Sequence, residues 1–316
     1  MAVTPNTLQP PQSATEAVEQ AIMGRRRDWR SVVFEGALLL SLLVALGVLV
    51  WLITDILIRA MPVFQERGLM DFLTAPMSPN PANAGIGQAL FGSLLLMVFV
   101  ALLAIPIGIA SAVYLEEYAP DNTVTRLINT TVRNLAGVPA VVYGLLGIAV
   151  FVVLLQDITG GRSAISGGFT LAIVVLPIVV IASAEALRAV PTAIREAGFG
   201  VGATKWEVIR SHVIPYAMPG ILTGTILTIG RAFGETAPLL LVGAVTGFFS
   251  VAANASVVER LQGPYTTLPT VIFSWSRQPR TEFRELTAAA IIVLLVLVLI
   301  INAVAIILRN RYARKW

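Results

Sequence analysis

Gly230-Arg-Ala-Phe-Gly-Glu-Thr-Ala-Pro-Leu-Leu-Leu-Val-Gly-Ala244 lies in an apolar run that starts near Ile221 and is long enough to cross a bilayer, yet it carries Arg231 and Glu235. What those charges mean depends on whether the run is in a membrane. Composition answers that. Hydrophobic residues make up 56% of the 316 and charged ones only 13%, and the mean hydropathy is +0.82, far above that of a soluble domain. The chain has no cysteine and a single histidine, His212, so disulfides, thiolate metal sites and histidine-rich metal sites are excluded and no metal site is expected. The net charge of +4 fits basic cytoplasmic loops better than nucleic-acid binding.

Six apolar spans separate along the chain: Val32 to Ile58, Ala89 to Tyr114, Gly137 to Leu155, Gly168 to Leu187, Gly220 to Thr246 and Ala288 to Leu308. Each is close to the ~20 residues that a helix needs to cross ~30 Å of hydrocarbon. None shows the alternation of a β-barrel strand. The expected fold is therefore all-α, a polytopic membrane protein with six transmembrane helices. Residues 1–31 read as a disordered cytoplasmic tail, 32–58 as the first transmembrane helix and 310–316 as a basic cytoplasmic tail.

Basic residues orient the spans. With the N-terminus inside, fourteen Lys and Arg fall in cytoplasmic segments and seven outside, with Arg231 in the membrane, so both termini are expected in the cytoplasm. Trp29, Trp51, Tyr114, Tyr118 and Trp316 fall near the span ends, where amphipathic rings are favoured. The outer loop from Gly247 to Leu286 contains the apolar stretch Leu268 to Trp275, which either lies against the membrane and pore mouth or is a plain solvated loop.

The cytoplasmic loop Glu196-Ala-Gly-Phe-Gly-Val-Gly-Ala-Thr-Lys-Trp-Glu-Val-Ile-Arg-Ser-His-Val-Ile-Pro215 has the makings of two short surface helices. Thr192 is placed to cap the first, glycines punctuate the middle, and Lys205 to His212 is helix-competent before Pro215. On its own this is either a helical connector or a docking surface.

The loop resembles the EAA motif of ATP-binding-cassette importer permeases: Glu-Ala-Ala, three residues, Gly, nine residues, Ile-x-Leu-Pro. Glu196, Ala197, Gly202 and Pro215 match with the spacing kept, whereas Gly198, His212 and Ile214 depart from the pattern. The resemblance implies the type I importer permease fold, with residues 85–309 as its core and the loop at 192–215 as the coupling helix that docks on an ATPase subunit. Phe199 and Val201 would fill the ATPase groove, Glu196 and Ala197 would orient the loop, and Gly202 would allow its bend.

Four further segments, Tyr114-Leu-Glu-Glu-Tyr-Ala-Pro120, Asn134-Leu-Ala-Gly-Val-Pro-Ala-Val-Val-Tyr-Gly144, Gly234-Glu-Thr-Ala-Pro-Leu239 and Gly263-Pro-Tyr-Thr-Thr-Leu-Pro269, are similar to the PstA-type permease of the phosphate importer. The partners thereby implied are a PstC-type permease, two ABC ATPase subunits, an extracytoplasmic phosphate-binding protein and membrane lipid, in the plasma membrane of a prokaryote. The chain itself would bind no cofactor and be no enzyme. Neither Lys205 nor Lys315 follows a Walker A glycine-rich turn, so ATP and Mg would sit on the partner ATPase. A permease for sulfate or molybdate, or the PstC-type partner itself, is the alternative; a sensor or scaffold would need neither the loop nor the charges.

Arg231 and Glu235 are four residues apart, which on a helix places them on one face and allows them to pair. A lone charge at mid-membrane costs roughly 2.5 to 3.5 kcal/mol on insertion scales, so such residues usually face a bundle interior or an aqueous cavity. The pair is either a static packing element or, with Thr236, a gated oxyanion pathway in which the guanidinium fork binds phosphate and Glu235 holds its charge between transport events.

Overall fold

The computed structural model describes residues 29–245 and 256–312. The expectations for the N-terminal tail, for residues 246–255 of the outer loop and for Trp316 lie outside them. The described residues are helical and contain no strand. The first helix, α1 (Trp29–Arg67), is longer at both ends than the expected span and continues through Pro62. The chain divides into two units within this helix, between Asp55 and Ile56. The first unit is a helical segment with no buried residue among those described. The second unit holds the remaining elements.

In the second unit, α2 (Leu69–Thr74) precedes the second span, α3 (Gly87–Tyr118). Two π-helical stretches, Val100–Ala104 and Tyr114–Tyr118, interrupt α3. The first sits just ahead of Pro106, a residue that cannot donate to the ladder. The third span is not a simple helix. The amphipathic α4 (Thr123–Ala136), capped by the Asn122 side chain on the Thr125 amide, is bent by 101° from α5 (Ala140–Leu154). Pro139 blocks helix continuation, and the Tyr143 hydroxyl donates to the Leu135 carbonyl at 2.7 Å and stitches the bend. Together α4 and α5 pass as one broken span beside five intact ones.

The fourth span, α6 (Ala164–Arg188), is the central helix, capped by Ser163, with only Glu185 and Arg188 exposed. It packs on α3, on α5 and on the fifth span. Small residues permit the approach: a Cβ on Gly108 would meet the Val179 side chain at 2.7 Å. The short α7 (Thr192–Gly200) follows, with Pro191 in the cap position, so Thr192 begins the helix and does not cap it.

The fifth span departs from the sequence expectation. Its helix, α8, runs Lys205–Gly234 and so starts well before Gly220 and stops before Thr246. At ~1.5 Å per residue it is about 45 Å long, half as long again as the ~30 Å hydrocarbon core. The second half of the coupling loop is therefore the first part of a membrane helix. A π-helical stretch, Ile209–Val213, lets that helix continue through Pro215. Thr204 caps its start by a capping box with Glu207. A separate short helix, α9 (Ala237–Val242), carries Pro238 near its start. The apolar stretch of the expected outer loop is α10 (Leu268–Ser276), and Leu268 to Val271 are buried in it. The last span is α11 (Thr281–Tyr312).

Candidate functional site

The four family-like segments, scattered in sequence, meet at two places. The first is the end of α8. Arg231 stands in its last turn, and Glu235 lies just beyond, in extended conformation (φ −70°, ψ 116°). The two are thus not on one uninterrupted helix, as the sequence led us to expect, because the backbone turns at Gly234. They pair all the same, Arg231 Nε donating to Glu235 Oε1 at 3.3 Å. The arginine side chain is 60% exposed and the carboxylate 16%. Thr236 donates to the Gly234 carbonyl at 3.3 Å, which helps to turn the chain.

Close packing holds the Gly234 to Leu239 segment from two sides. A Cβ on Gly144 would meet Pro238 at 2.8 Å and one on Gly147 would meet Val242 at 2.8 Å, so the glycine-bearing face of α5 lies directly on α9. From the other side, the Tyr265 hydroxyl reaches the Leu239 carbonyl at 3.4 Å, and the Val245 amide donates to the Tyr265 carbonyl at 2.7 Å. Burial raises the phenol pKa, so Tyr265 remains a donor. The neighbouring Leu268 amide donates to Ser93 Oγ of α3 at 2.8 Å.

The second place is the loop at 192–215. α7 ends at Gly200, and Gly202, at φ 83°, makes the turn into Thr204, a backbone angle that a Cβ disfavours. Glu196 and Ala197 are exposed, as are Phe199 (49%) and Val201 (85%). Pro215 is half-buried within α8. A hollow of about 410 Å³ opens between Ala197, Gly198, Val201, His212 and Tyr216.

Sequence reasoning missed what holds this loop. Arg195 Nη2 donates to Glu117 Oε1 at 2.7 Å and to the Leu187 carbonyl at 3.0 Å, and Nη1 donates to the Val190 carbonyl at 2.7 Å. Beside it, Arg188 Nε donates to Glu116 Oε2 at 2.8 Å. Lys205 stands over the Tyr118 ring at 5.2 Å. The π-helical end of α3 is thus a socket for the loop. The available signal was two adjacent acids closing an apolar span on the side where the loops are basic. Glu185, the lone acid inside the fourth span, was also passed over.

The chain matches, over residues 104–315, the family described as the inner membrane component of binding-protein-dependent transport systems. It belongs to that family. The permease is 33% identical over 314 residues to the phosphate transport system permease protein PstA 1 of Mycobacterium tuberculosis (strain CDC 1551 / Oshkosh), covering 96% of this chain and 99% of the relative. It is 37% identical over 176 residues to the probable ABC transporter permease protein YqgI of Bacillus subtilis (strain 168), covering 55% of this chain and 58% of that protein. Its fold matches a chain of a bacterial alginate ABC transporter solved in complex with an alginate pentasaccharide-bound periplasmic protein, with a TM-score of 0.64 and 17% identity over 92% of this chain and 99% of that one. The permease is a multi-pass membrane protein of the ABC importer permease fold.

Proposed function

We propose that the permease is the PstA-type subunit of an ATP-driven inorganic phosphate importer and forms half of the translocation pathway. The observation that carries this reading is Arg231, a guanidinium left largely open on a membrane helix with one carboxylate, Glu235, as its counter-charge. The fork suits a tetrahedral oxyanion, and Glu235 keeps the empty site from trapping one. The name of the relative aligned over nearly its whole length supports phosphate as that anion.

In this reading the 192–215 loop docks on a separate ATPase, which holds ATP and Mg. Phe199 and Val201 fill its groove, Glu196 and Ala197 orient the contact, Gly202 sets the bend, and Pro215 marks the entry into the membrane. A PstC-type chain supplies the other half of the pathway, two ATPase subunits sit beneath, and an extracytoplasmic phosphate-binding protein delivers the anion over the 247–286 loop. Both termini face the cytoplasm of a prokaryote in this reading, which the basic asymmetry favours. The test is phosphate uptake by the reconstituted complex with sulfate and molybdate as competitors. Uptake that resists a large excess of both supports the reading; uptake abolished by sulfate or molybdate assigns the permease to another oxyanion.

A further inference from the structure

Helix α8 has one face that the second unit covers only in part. Gly220, Leu227 and Arg231 are exposed along it and Gly224 is half-buried between them. Steps of four, three and four residues keep these positions on a single stripe of a helix with 3.6 residues per turn. The stripe runs from the coupling-loop end up to the Arg231–Glu235 pair. Gly220 and Gly224 let α6 pack closely along one edge of the stripe, since a Cβ on Gly220 would meet Ala186 at 2.8 Å and one on Gly224 would meet Ala182 at 2.5 Å.

At the inner end of this stripe a groove opens to about 550 Å³, and its polar lining is Glu185 of α6, Thr223 of α8 and Arg309 of α11. Arg309 Nη1 donates to Thr223 Oγ1 at 3.1 Å, and Nε and Nη2 reach Asn310 Oδ1 at 3.3 and 3.1 Å. Among the described residues its acceptors are therefore all neutral. Glu185 lies on the same groove, where its charge also acts on Arg188, whose hydrogen-bond partner is Glu116. An arginine, a threonine hydroxyl and a carboxylate thus recur at the inner end of the stripe, the same three groups as Arg231, Thr236 and Glu235 at its outer end. About 12 Å of helix rise separates Thr223 from Arg231.

We propose that this groove is a second oxyanion station on the inner half of the pathway, where Arg309 and the Thr223 hydroxyl bind a tetrahedral oxyanion such as hydrogen phosphate and Glu185 supplies the charge that releases it. The station rests on the functional reading above. An anion leaving Arg231 would otherwise face the rest of an apolar span unaided. A second guanidinium, bonded to Thr223 about two turns along the helix from Arg231, shortens that unassisted step, and a nearby carboxylate keeps the final site from binding too tightly to empty. Net charge in the groove stays near zero when it is empty, which lowers the cost of holding Arg309 near the membrane.

The test is the assembled transporter in proteoliposomes, with inorganic phosphate as the probe and R309Q, R309K and E185Q compared with the unaltered chain. Uptake with R309Q is expected to fall roughly tenfold or more, as for the loss of a charge-assisted donor, and R309K to recover part of it. E185Q should make uptake several-fold more sensitive to phosphate added on the ATPase side, because the anion then leaves less readily. This product inhibition is a readout that a mere membrane anchor would not move, and E185Q leaves Arg309 in place, so it carries the test even if R309Q fails to assemble. If the unaltered complex imports phosphate and R309Q and E185Q match it in rate and product inhibition, the station is overturned and the functional reading stands. If the unaltered complex carries no phosphate, the functional reading falls first and the station with it.

Discussion

Arg195 and Glu117 are 78 positions apart in sequence and 2.7 Å apart in space, and their pair fastens the coupling loop to the end of the second span. The carboxylate is only 7% exposed and the guanidinium 22%, so the pair is shielded from solvent far better than a surface bridge. Two backbone carbonyls, of Leu187 and Val190, complete the arginine's partners. A force applied to α7 therefore reaches α3 directly as well as α8 through the chain.

Glu117→Gln should weaken this link without emptying the site. Removing one partner of a fully buried pair costs about 3 to 5 kcal/mol, and the carbonyl acceptors and remaining exposure of Arg195 reduce that to about 1 to 2 kcal/mol. The expected outcome is a permease that assembles but moves fewer phosphates per ATP hydrolysed. An unchanged transport-to-ATP ratio in Glu117→Gln would remove the pair from the coupling path.

Gly202→Val isolates the bend. A Cβ there meets nothing within 4 Å, so the whole penalty comes from the backbone angle of φ 83°. For a β-branched residue in the left-handed region that is roughly 1 to 2 kcal/mol. Co-purification with the ATPase should be lost or transport uncoupled, with the chain still in the membrane. Gly200→Ala, also in open space but at an ordinary helical angle, should behave as wild type.

Gly92→Ala probes the strap formed by Tyr265 to Leu268, which ties α3 to α9. The added Cβ would overlap the Thr266 carbonyl oxygen, which belongs to backbone and cannot rotate away. Overpacking of this kind costs about 1 to 3 kcal/mol, and here it would lift the strap that holds Tyr265 on Leu239. A lower midpoint of thermal unfolding in detergent is expected, whereas Gly36→Ala, with nothing within 4 Å, should leave it in place.

Orientation is directly measurable because the natural chain has no cysteine. With an impermeant thiol reagent added outside intact cells, Ser256→Cys should label and Thr192→Cys should label only after lysis. The reverse pattern would invert the topology.

The helical membrane fold was legible in composition and apolar runs, since a bilayer forces every backbone group into helices or barrels. Span boundaries were less so. The fifth span was misplaced because hydropathy follows lipid exposure, whereas α8 extends toward the coupling loop through polar residues such as Lys205 and Glu207, whose helix is set by a capping box and a π-helical stretch. The 101° break before α5 was missed for the opposite reason, because Gly137 and Pro139 sit in a run that reads as continuous by hydropathy alone. At the site, Arg231 and Glu235 stood out as charges in an apolar run, and Gly202 stood out by its place in the motif. Glu117 and Arg195 did not, because a pair 78 residues apart leaves no local pattern.

The central claim is that Arg231 carries phosphate. Its most direct test is Arg231→Gln in the reconstituted complex, with phosphate uptake and subunit co-purification measured on the same preparation. A fully assembled complex whose uptake falls to background is the predicted result. A fully assembled complex that imports phosphate at the unaltered rate would contradict the claim and leave Arg231 and Glu235 as a packing pair.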